Sequence, residues 1–247
     1  MKKLFTLLAL IISFSMNAQV STASTDASGL YSTAMGYSTT ASGNRSTAMG
    51  SGTIASGNNS TAMGYFTTAS GNKTAAMGAN TTASDYASLV IGQFNSSGSS
   101  VTNNATSYNT ANTAFVIGNG TNSSNKSDAF KVMFNGDTTV SNDLTVSGDV
   151  VISSDARLKS NILSLGSTLS KLLQIDGKSY EMKGKQKIGV LAQEIKEVFP
   201  ELVSKDDNEM LAVNYQGLVP VLINALKEQQ SEIDELKEMV QLLVSKE

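Results

Sequence analysis

The 247-residue chain contains no cysteine, no histidine and no tryptophan, and only 6% of its residues are aromatic. The first two absences exclude disulfide bonds, thiolate and imidazole metal sites, cysteine nucleophiles and histidine-based catalytic triads. The scarcity of aromatic residues argues against one large core over the whole length. A net charge of −3 gives no basic surface for nucleic acid. We therefore expect no metal, no cofactor and no nucleic-acid partner.

The first 18 residues have the pattern of an export signal. Lys2 and Lys3 form a basic start, residues 4–14 are apolar, and Ala18 closes a plausible cleavage site. The apolar run is too short for a transmembrane helix. The sequence predicts a bacterial protein that is exported, begins near Gln19 and has no membrane-spanning segment after signal removal. Its location would be the cell surface, the outer membrane or the medium.

A 14-residue repeat occupies the next part of the chain. The copies share the core A-S-G-N-x-S-T-A-M-G, with methionine in register in four copies and isoleucine in the fifth. Within S-T-A-M, strand alternation places Thr and Met on one face and Ser and Ala on the other. One copy has too few apolar atoms to fold alone, so we expect a stacked solenoid. Core packing is the favoured role of the methionine stripe, ahead of any metal or cofactor role. The copies are residues 23–36, 37–50, 51–64, 65–78 and 79–92, with a degenerate copy at 113–118.

These repeats resemble the head repeats of trimeric autotransporter adhesins. The closest motifs are Val90-Ile91-Gly92 and Val116-Ile117-Gly118, and the Ala-Met-Gly copies match conservatively. The resemblance implies a left-handed parallel β-roll over residues 19–120, formed by three chains side by side. It also implies a host-surface or glycan ligand, whose identity no motif reveals.

Residues 121–152 are predicted to form a β-rich neck. Residues 129–134 have strand composition and precede the tight-turn signal Asn135-Gly136-Asp137. Further short strands are predicted at residues 138–140, 144–146 and 150–152. Such short strands indicate either a neck completed by neighbouring chains or a small meander on one chain.

Residues 153–247 have the charge content of an ordinary α+β domain. Leucines between Leu158 and Leu173 recur at helical spacing, interrupted by Gly166. Strands are predicted at residues 179–182, 187–190 and 210–213. A helix carrying Ile195 is expected to end at Pro200, and Asn214 is a suitable N-cap for the last helix.

Residues 215–244 are predicted to form a long coiled-coil helix with a polar seam residue at Gln229 that fixes register. Gly217 and Pro220 are expected to bend its start or delay it. By core rules alone, β-branched residues alternating with leucine favour a dimer, so a trimer must be specified by the rest of the chain. The seam residues are Tyr215, Val219, Leu222, Leu226, Gln229, Ile233, Leu236, Val240 and Leu243.

Ser154 and Lys159 lie five residues apart at the start of this domain, and they could form a Ser-Lys nucleophilic site. Taken alone, such a pair more often marks a plain surface turn. The surrounding sequence resembles the S74 peptidase family, the intramolecular chaperones at the C-termini of phage tail spikes and endosialidases. The matching blocks are residues 154–162, 189–195, 199–203 and 213–218.

This resemblance implies a module that assembles a trimer and then cuts itself off. Ser154 would be the nucleophile and Lys159 the base, and the Ser153–Ser154 bond would be cleaved. Lys159 must be neutral to accept a proton, which burial or a nearby cation would favour. Asp155 would orient the turn, and Arg157 could supply the cation.

We therefore expect an exported homotrimeric fibre or adhesin-like protein with a self-cleaving C-terminal chaperone. One alternative is a surface-binding protein that keeps the module as a permanent cap. Another is a phage tail-fibre-like protein, although an export signal argues against it. Whether the chain acts as an enzyme depends on this single self-cleavage.

Overall fold

The computed structural model describes residues 22–206 and 209–245. The predicted signal peptide at residues 1–18 lies outside the described residues. The described chain divides between Val150 and Val151 into two compact units. Within the described ranges, no helix has the length and apolar character needed to cross a membrane.

The N-terminal unit is a solenoid of parallel strands, as the 14-residue period predicts. Strands one repeat apart pair in register, so that Met35, Met49, Met63 and Met77 form one row. The first sheet of the solenoid contains β1 (Thr22–Ala23), β2 (Thr33–Tyr37), β4 (Thr47–Ser51), β6 (Thr61–Tyr65), β8 (Ala75–Ala79) and β10 (Leu89–Gln93). A second parallel sheet contains β3 (Thr40–Ala41), β5 (Ile54–Ala55), β7 (Thr68–Ala69) and β9 (Thr82–Ala83).

Small side chains fill the interior of each coil. Alanines from both sheets are fully buried and lie between buried threonine and serine residues. The core cluster contains Ala41, Ala48, Ala55, Ala62, Ala69, Ala76, Ala83, Val90 and Val116. The prediction that the methionine stripe packs in the core is wrong for the single chain, because the methionines are half-buried on the opposite face of their strands. Alternation that turns alanine inward turns methionine outward.

Coil stacking brings glycine backbones into close approach. Gly50 has φ = 121°, in the left-handed region, and a Cβ at this position would overlap the carbonyl oxygen of Gly64 in the next coil. Only glycine satisfies both conditions. The invariant repeat glycine therefore permits the coil-to-coil spacing.

Buried polar side chains close the C-terminal end of the solenoid. The fifth repeat has Asp85 where earlier repeats have glycine, and Asp85 is fully buried. Its Oδ1 accepts a hydrogen bond from the Thr102 backbone N–H at 2.6 Å, and its Oδ2 accepts one from the Thr113 N–H at 2.8 Å. The carboxylate thus joins the polar insertion to β11 (Thr113–Asn119), which pairs with β10.

The neck adds two antiparallel strands to the first sheet. These are β12 (Asp128–Met133) and β13 (Thr138–Val140), joined by the predicted turn at Asn135-Gly136-Asp137. The predicted strands at residues 144–146 and 150–152 are wrong, because residues 141–155 form no strand. A strand requires a hydrogen-bonded neighbour, and the described chain pairs neither segment.

The C-terminal unit combines two hairpins with three α-helices. Its core contains Ile195, Phe199 and Val221. The hairpins are β14 (Lys178–Met182) with β15 (Lys185–Gly189), and β16 (Val203–Lys205) with β17 (Leu211–Val213). The α-helices are α1 (Leu169–Leu172), α2 (Ala192–Val198) and α3 (Leu218–Val244), and single 3-10 turns lie at Ala156–Leu158, Pro200–Leu202 and Tyr215–Gly217.

One expectation for helices in this unit needs correction, and one is confirmed. The leucine periodicity between Leu158 and Leu173 yields only the four-residue α1, because Asn161 and Gly166 adopt left-handed backbone conformations that a helix excludes. α3 starts at Leu218, after a 3-10 turn at Tyr215–Gly217, which agrees with the expected late start, and Pro220 lies in its first turn. In the first turn, a missing N–H breaks no helical hydrogen bond.

Candidate functional site

A short turn brings together the residues that the sequence assigns to catalysis. Asp155 precedes the 3-10 turn Ala156–Leu158 and accepts the backbone N–H of Arg157 at 2.8 Å. The Lys159 N–H then bonds to the Ala156 carbonyl, which closes the turn. A short polar residue with extended backbone suits this capping position, because its side chain satisfies a donor that the turn leaves free.

The turn places Lys159 against Ser154. The Lys159 Nζ donates a hydrogen bond to the Ser154 Oγ at 2.8 Å. This is the heavy-atom separation that proton transfer between a nucleophile and its base requires. The sequence-predicted pair therefore lies in direct contact, and the Ser153–Ser154 bond is next to it in the chain.

Asp155 and Arg157 form an ion pair beside this contact. The Arg157 Nη2 lies 2.7 Å from the Asp155 Oδ2, and the Arg157 Nε contacts both carboxylate oxygens. Hydrogen bonds from the Arg157 side chain and backbone hold the pKa of Asp155 below its usual value, while the pairing raises the pKa of Arg157. The Arg157 charge is directed to Asp155. The supporting roles expected of Asp155 and Arg157 at the dyad stay predictions.

The dyad is uncovered in the single chain. Residues 141–167 are all exposed, including both members of the pair. Large apolar side chains flank it, with Val151 88% exposed, Leu158 74% and Leu163 86%. A Ser-Lys pair in water lacks the dry surroundings that favour a neutral lysine. The pair therefore has the contact of a catalytic dyad without its enclosure.

A mainly apolar cleft in the C-terminal unit lies apart from the dyad. It has a volume of about 420 Å³ and is lined by residues of both hairpins, among them Tyr180, Met182 and Met210, and by Tyr215 of the 3-10 turn. Ser154 and Lys159 are not among its lining residues. Across the described ranges, no group of three or more Asp and Glu side chains is arranged to hold a metal ion.

Sequence reasoning missed a link between α1 and α3. The Glu228 carboxylate accepts the Thr168 N–H at 2.6 Å, the Ser167 hydroxyl at 2.8 Å and the Leu169 N–H at 3.2 Å. These hydrogen bonds hold the pKa of Glu228 below its usual value, with that from the Thr168 backbone contributing most. No local pattern predicts a contact across 60 residues, so only the fold reveals it.

One face of α3 packs within the unit, and the seam face does not. Val221 and Ala225 are buried, whereas the predicted seam residues Leu226, Leu236 and Val240 are 57–63% exposed. The predicted long helix is confirmed. The apolar seam of this helix is exposed in the single chain. The apolar side chains beside the dyad are exposed in the same way.

Two family models match the chain, in the order that the sequence resemblances predict. Residues 27–53, 55–81 and 69–95 match the YadA head domain repeat. Residues 154–204 match the S74 peptidase family, described as chaperone of endosialidase. A comparison with curated proteins gave no match. The two matches confirm both resemblances and support an adhesin-like or tail-fibre-like protein with a chaperone module.

Proposed function

We propose that this chain is an exported homotrimeric fibre or adhesin-like protein whose C-terminal module assembles it and then cleaves the Ser153–Ser154 bond. The observation that carries the proposal is the 2.8 Å contact between the Lys159 Nζ and the Ser154 Oγ, directly beside that bond. The matched S74 model begins at residue 154, so the cleavage point lies at the edge of the matched segment.

The chemistry is an acyl shift followed by hydrolysis. Neutral Lys159 accepts the Ser154 hydroxyl proton as Oγ attacks the Ser153 carbonyl carbon. The C–N bond then breaks, the Ser154 nitrogen takes a proton, and an ester joins Ser153 to the Ser154 side chain. Water hydrolyses this ester, leaving a carboxylate on Ser153 and a free amine on Ser154. No external reactant other than water is consumed.

Trimer assembly supplies what the single chain lacks. The exposed seam of α3, the methionine row of the solenoid and the apolar flanks of the dyad all require cover. Chains packed against each other would cover these surfaces and exclude water from Lys159. Coupling cleavage to assembly in this way would prevent premature loss of the chaperone.

The signal-like N-terminus supports export, and the head-repeat match supports a surface or secreted location. The head would contact a host surface or a glycan.

The second candidate is a permanent cap that never cleaves. Two observations favour this candidate over a fully formed active site. Both dyad residues are exposed, and Arg157 is paired with Asp155. The two candidates share one fold and differ only in whether the Ser153–Ser154 bond survives.

A pair of neighbouring substitutions separates them. Ser154→Ala removes the nucleophile and is expected to leave a full-length chain in the assembled state. Ser153→Ala keeps the attacked carbonyl and is expected to cleave like the wild type. Denaturing gel electrophoresis of both purified variants reports the result. The proposal would be rejected if both variants were cleaved to the same extent, or if neither variant were cleaved.

Hydroxylamine provides a second readout of the same step. It attacks esters faster than amides, so it should accelerate fragment release in the wild type and leave a hydroxamate on Ser153. Lys159→Met should abolish release with and without hydroxylamine, because the ester never forms.

A further inference from the structure

One edge of the solenoid carries exposed aromatic side chains. Tyr37 and Tyr65 are the last residues of β2 and β6, and Phe66 follows Tyr65. Through the in-register pairings of Tyr37 with Ser51 and of Ser51 with Tyr65, the two tyrosines occupy equivalent positions two coils apart. Tyr37 is 63% exposed, Tyr65 54% and Phe66 52%.

The fold does not require aromatic residues at these positions. Equivalent coils carry Ser51 and Ala79 in place of the tyrosines, and Gly52 and Asn80 in place of Phe66. The interior is filled by alanine and small polar residues, and none of the three rings belongs to the core cluster. The rings therefore contribute to the surface of the solenoid.

Phe66 also occupies an unfavourable backbone conformation. Its φ is 49°, in the left-handed region that bulky residues avoid. The equivalent residues Ser38, Gly52, Asn80 and Phe94 also have positive φ, so the conformation belongs to the turn of the coil. Residues as small as glycine and serine occupy this turn, so the turn itself does not call for the Phe66 ring.

The rings lie close together at one turn of successive coils. Tyr65 and Phe66 meet edge to face, with their centroids 4.6 Å apart. The Phe66 ring lies over Gly52, where a Cβ would come within 2.7 Å of it. Ser51 occupies the coil between Tyr37 and Tyr65. Two coils separate the tyrosines by about 10 Å, which is close to the length of a disaccharide.

The edge is uncharged. Its positions in four successive coils carry only neutral residues, with hydrogen-bonding groups on Ser38, Ser51 and Asn80. An anionic ligand would meet no cation here, and a cationic ligand would meet no carboxylate. A neutral chain with C–H faces and hydroxyl groups fits, because aromatic faces attract the positively polarised C–H groups of a sugar.

We propose that Tyr37, Tyr65 and Phe66 form a stacking site for a neutral β-linked polysaccharide that lies along the solenoid axis. Tyr37 and Tyr65 stack on sugar rings one disaccharide apart. Ser51, in the coil between them, hydrogen-bonds to sugar hydroxyls, and Asn80, one coil beyond Tyr65, extends the site. The site lies wholly in the N-terminal unit and does not depend on cleavage at Ser153–Ser154.

The test is titration calorimetry of the full chain with cellohexaose and chitohexaose, with maltohexaose and an oligogalacturonate as controls. We expect binding of at least one β-linked probe and of neither control. Cellohexaose and chitohexaose distinguish plain glucose units from N-acetylated ones. Absence of binding to both β-linked probes at millimolar concentration would overturn the proposal.

Substitutions by the residues of equivalent coils locate the site. Tyr37→Ser and Phe66→Asn should each weaken binding about tenfold. Tyr31→Asn is the matched control: Tyr31 is 77% exposed with φ = 60°, and Asn59 holds the equivalent position in another coil. Tyr31 lies at the other turn of the coil, so this variant should bind like the wild type. Equal loss in all three variants would contradict the assigned site.

Light scattering separates this site from a contact between copies. Phe66→Asn should leave the assembled mass unchanged, because the contacts of its ring with Tyr65 and Gly52 lie within one chain. If it instead dissociates the assembly, the edge is an interface between chains and the proposal is wrong.

Discussion

The Glu228 carboxylate accepts the Thr168 backbone N–H at 2.6 Å and so ties the start of α1 to the long helix α3. Thr168 is almost completely buried, and its hydroxyl also donates to the Val221 carbonyl at 3.2 Å. The segment that follows the Ser154–Lys159 turn is therefore held against α3 by hydrogen bonds between Thr168 and residues of α3. An unpaired buried N–H is costly, so this link should matter for stability.

Glu228→Gln should lower the melting temperature of the C-terminal unit at pH 7, because a neutral amide accepts these hydrogen bonds less strongly than a carboxylate. The folded-state pKa of Glu228 lies below its usual value. The stability that ionised Glu228 adds is therefore complete at pH values above its unfolded-state pKa of about 4.3. It is lost as the pH falls through the folded-state pKa. Circular dichroism melts at pH 7 and pH 3 measure both effects.

Glu232→Gln is the control, since Glu232 is exposed one turn further along α3. The difference between the two variants should shrink at pH 3. A difference that is the same at both pH values would show that the carboxylate charge has no part in the link.

Gly50→Ala should destabilise the solenoid by about 2–6 kcal/mol, because it combines left-handed strain with overlap on the next coil. Gly136→Ala carries the strain alone, since Gly136 has φ = 96° and a Cβ added there would meet no atom within 4 Å. It should cost about 1–2 kcal/mol. Denaturant unfolding compares the two, and equal losses would reject close coil approach as the reason for the repeat glycine.

Asp85→Gly restores the residue of the earlier repeats and should nevertheless destabilise the end of the solenoid. It removes the acceptors of the Thr102 and Thr113 N–H groups, and leaving the buried Thr113 donor unpaired costs roughly 1–3 kcal/mol. Asp85→Asn keeps one acceptor oxygen, so its stability should lie between that of Asp85→Gly and that of the wild type. Amide hydrogen exchange at Thr102 and Thr113 gives the local readout. Unchanged protection in Asp85→Gly would contradict the assigned role.

Leu236→Lys should dissociate the assembly, because it puts a charge into the exposed apolar seam of α3. A lone helix with such a seam gains too little from its own hydrogen bonds to be stable in water. Gln230→Lys adds the same charge outside the seam and should leave the assembled mass unchanged by light scattering. If assembly encloses the dyad, Leu236→Lys should also stop cleavage. A monomeric Leu236→Lys chain that still cleaves would contradict that coupling.

The solenoid could be predicted in detail because its stacking follows from a local repeat. The 14-residue period gave the pairing of Met49 with Met63, and strand alternation separated alanine from methionine. Which of these faces is the interior was misjudged. Alanines fill the interior and the methionines face outward, and the alternation in the sequence does not show which face is inside.

Longer-range features escaped prediction for physical reasons. The segment at residues 144–146 has the composition of a strand, but strand formation depends on a neighbour that the described chain does not supply. Leucines near Ile162 have helical spacing, but Asn161 and Gly166 take left-handed conformations. The Ser154–Lys159 pair came from a family resemblance, and spacing alone could not establish its 2.8 Å contact.

Intact mass of the purified wild type shows whether the Ser153–Ser154 bond is cut by the Ser154–Lys159 dyad. Two species are expected, one ending at Ser153 and one running from Ser154 to Glu247. Lys159→Met should give one species of undivided mass. A wild-type protein with a single species that still ends at Glu247 would show that the bond is not cut.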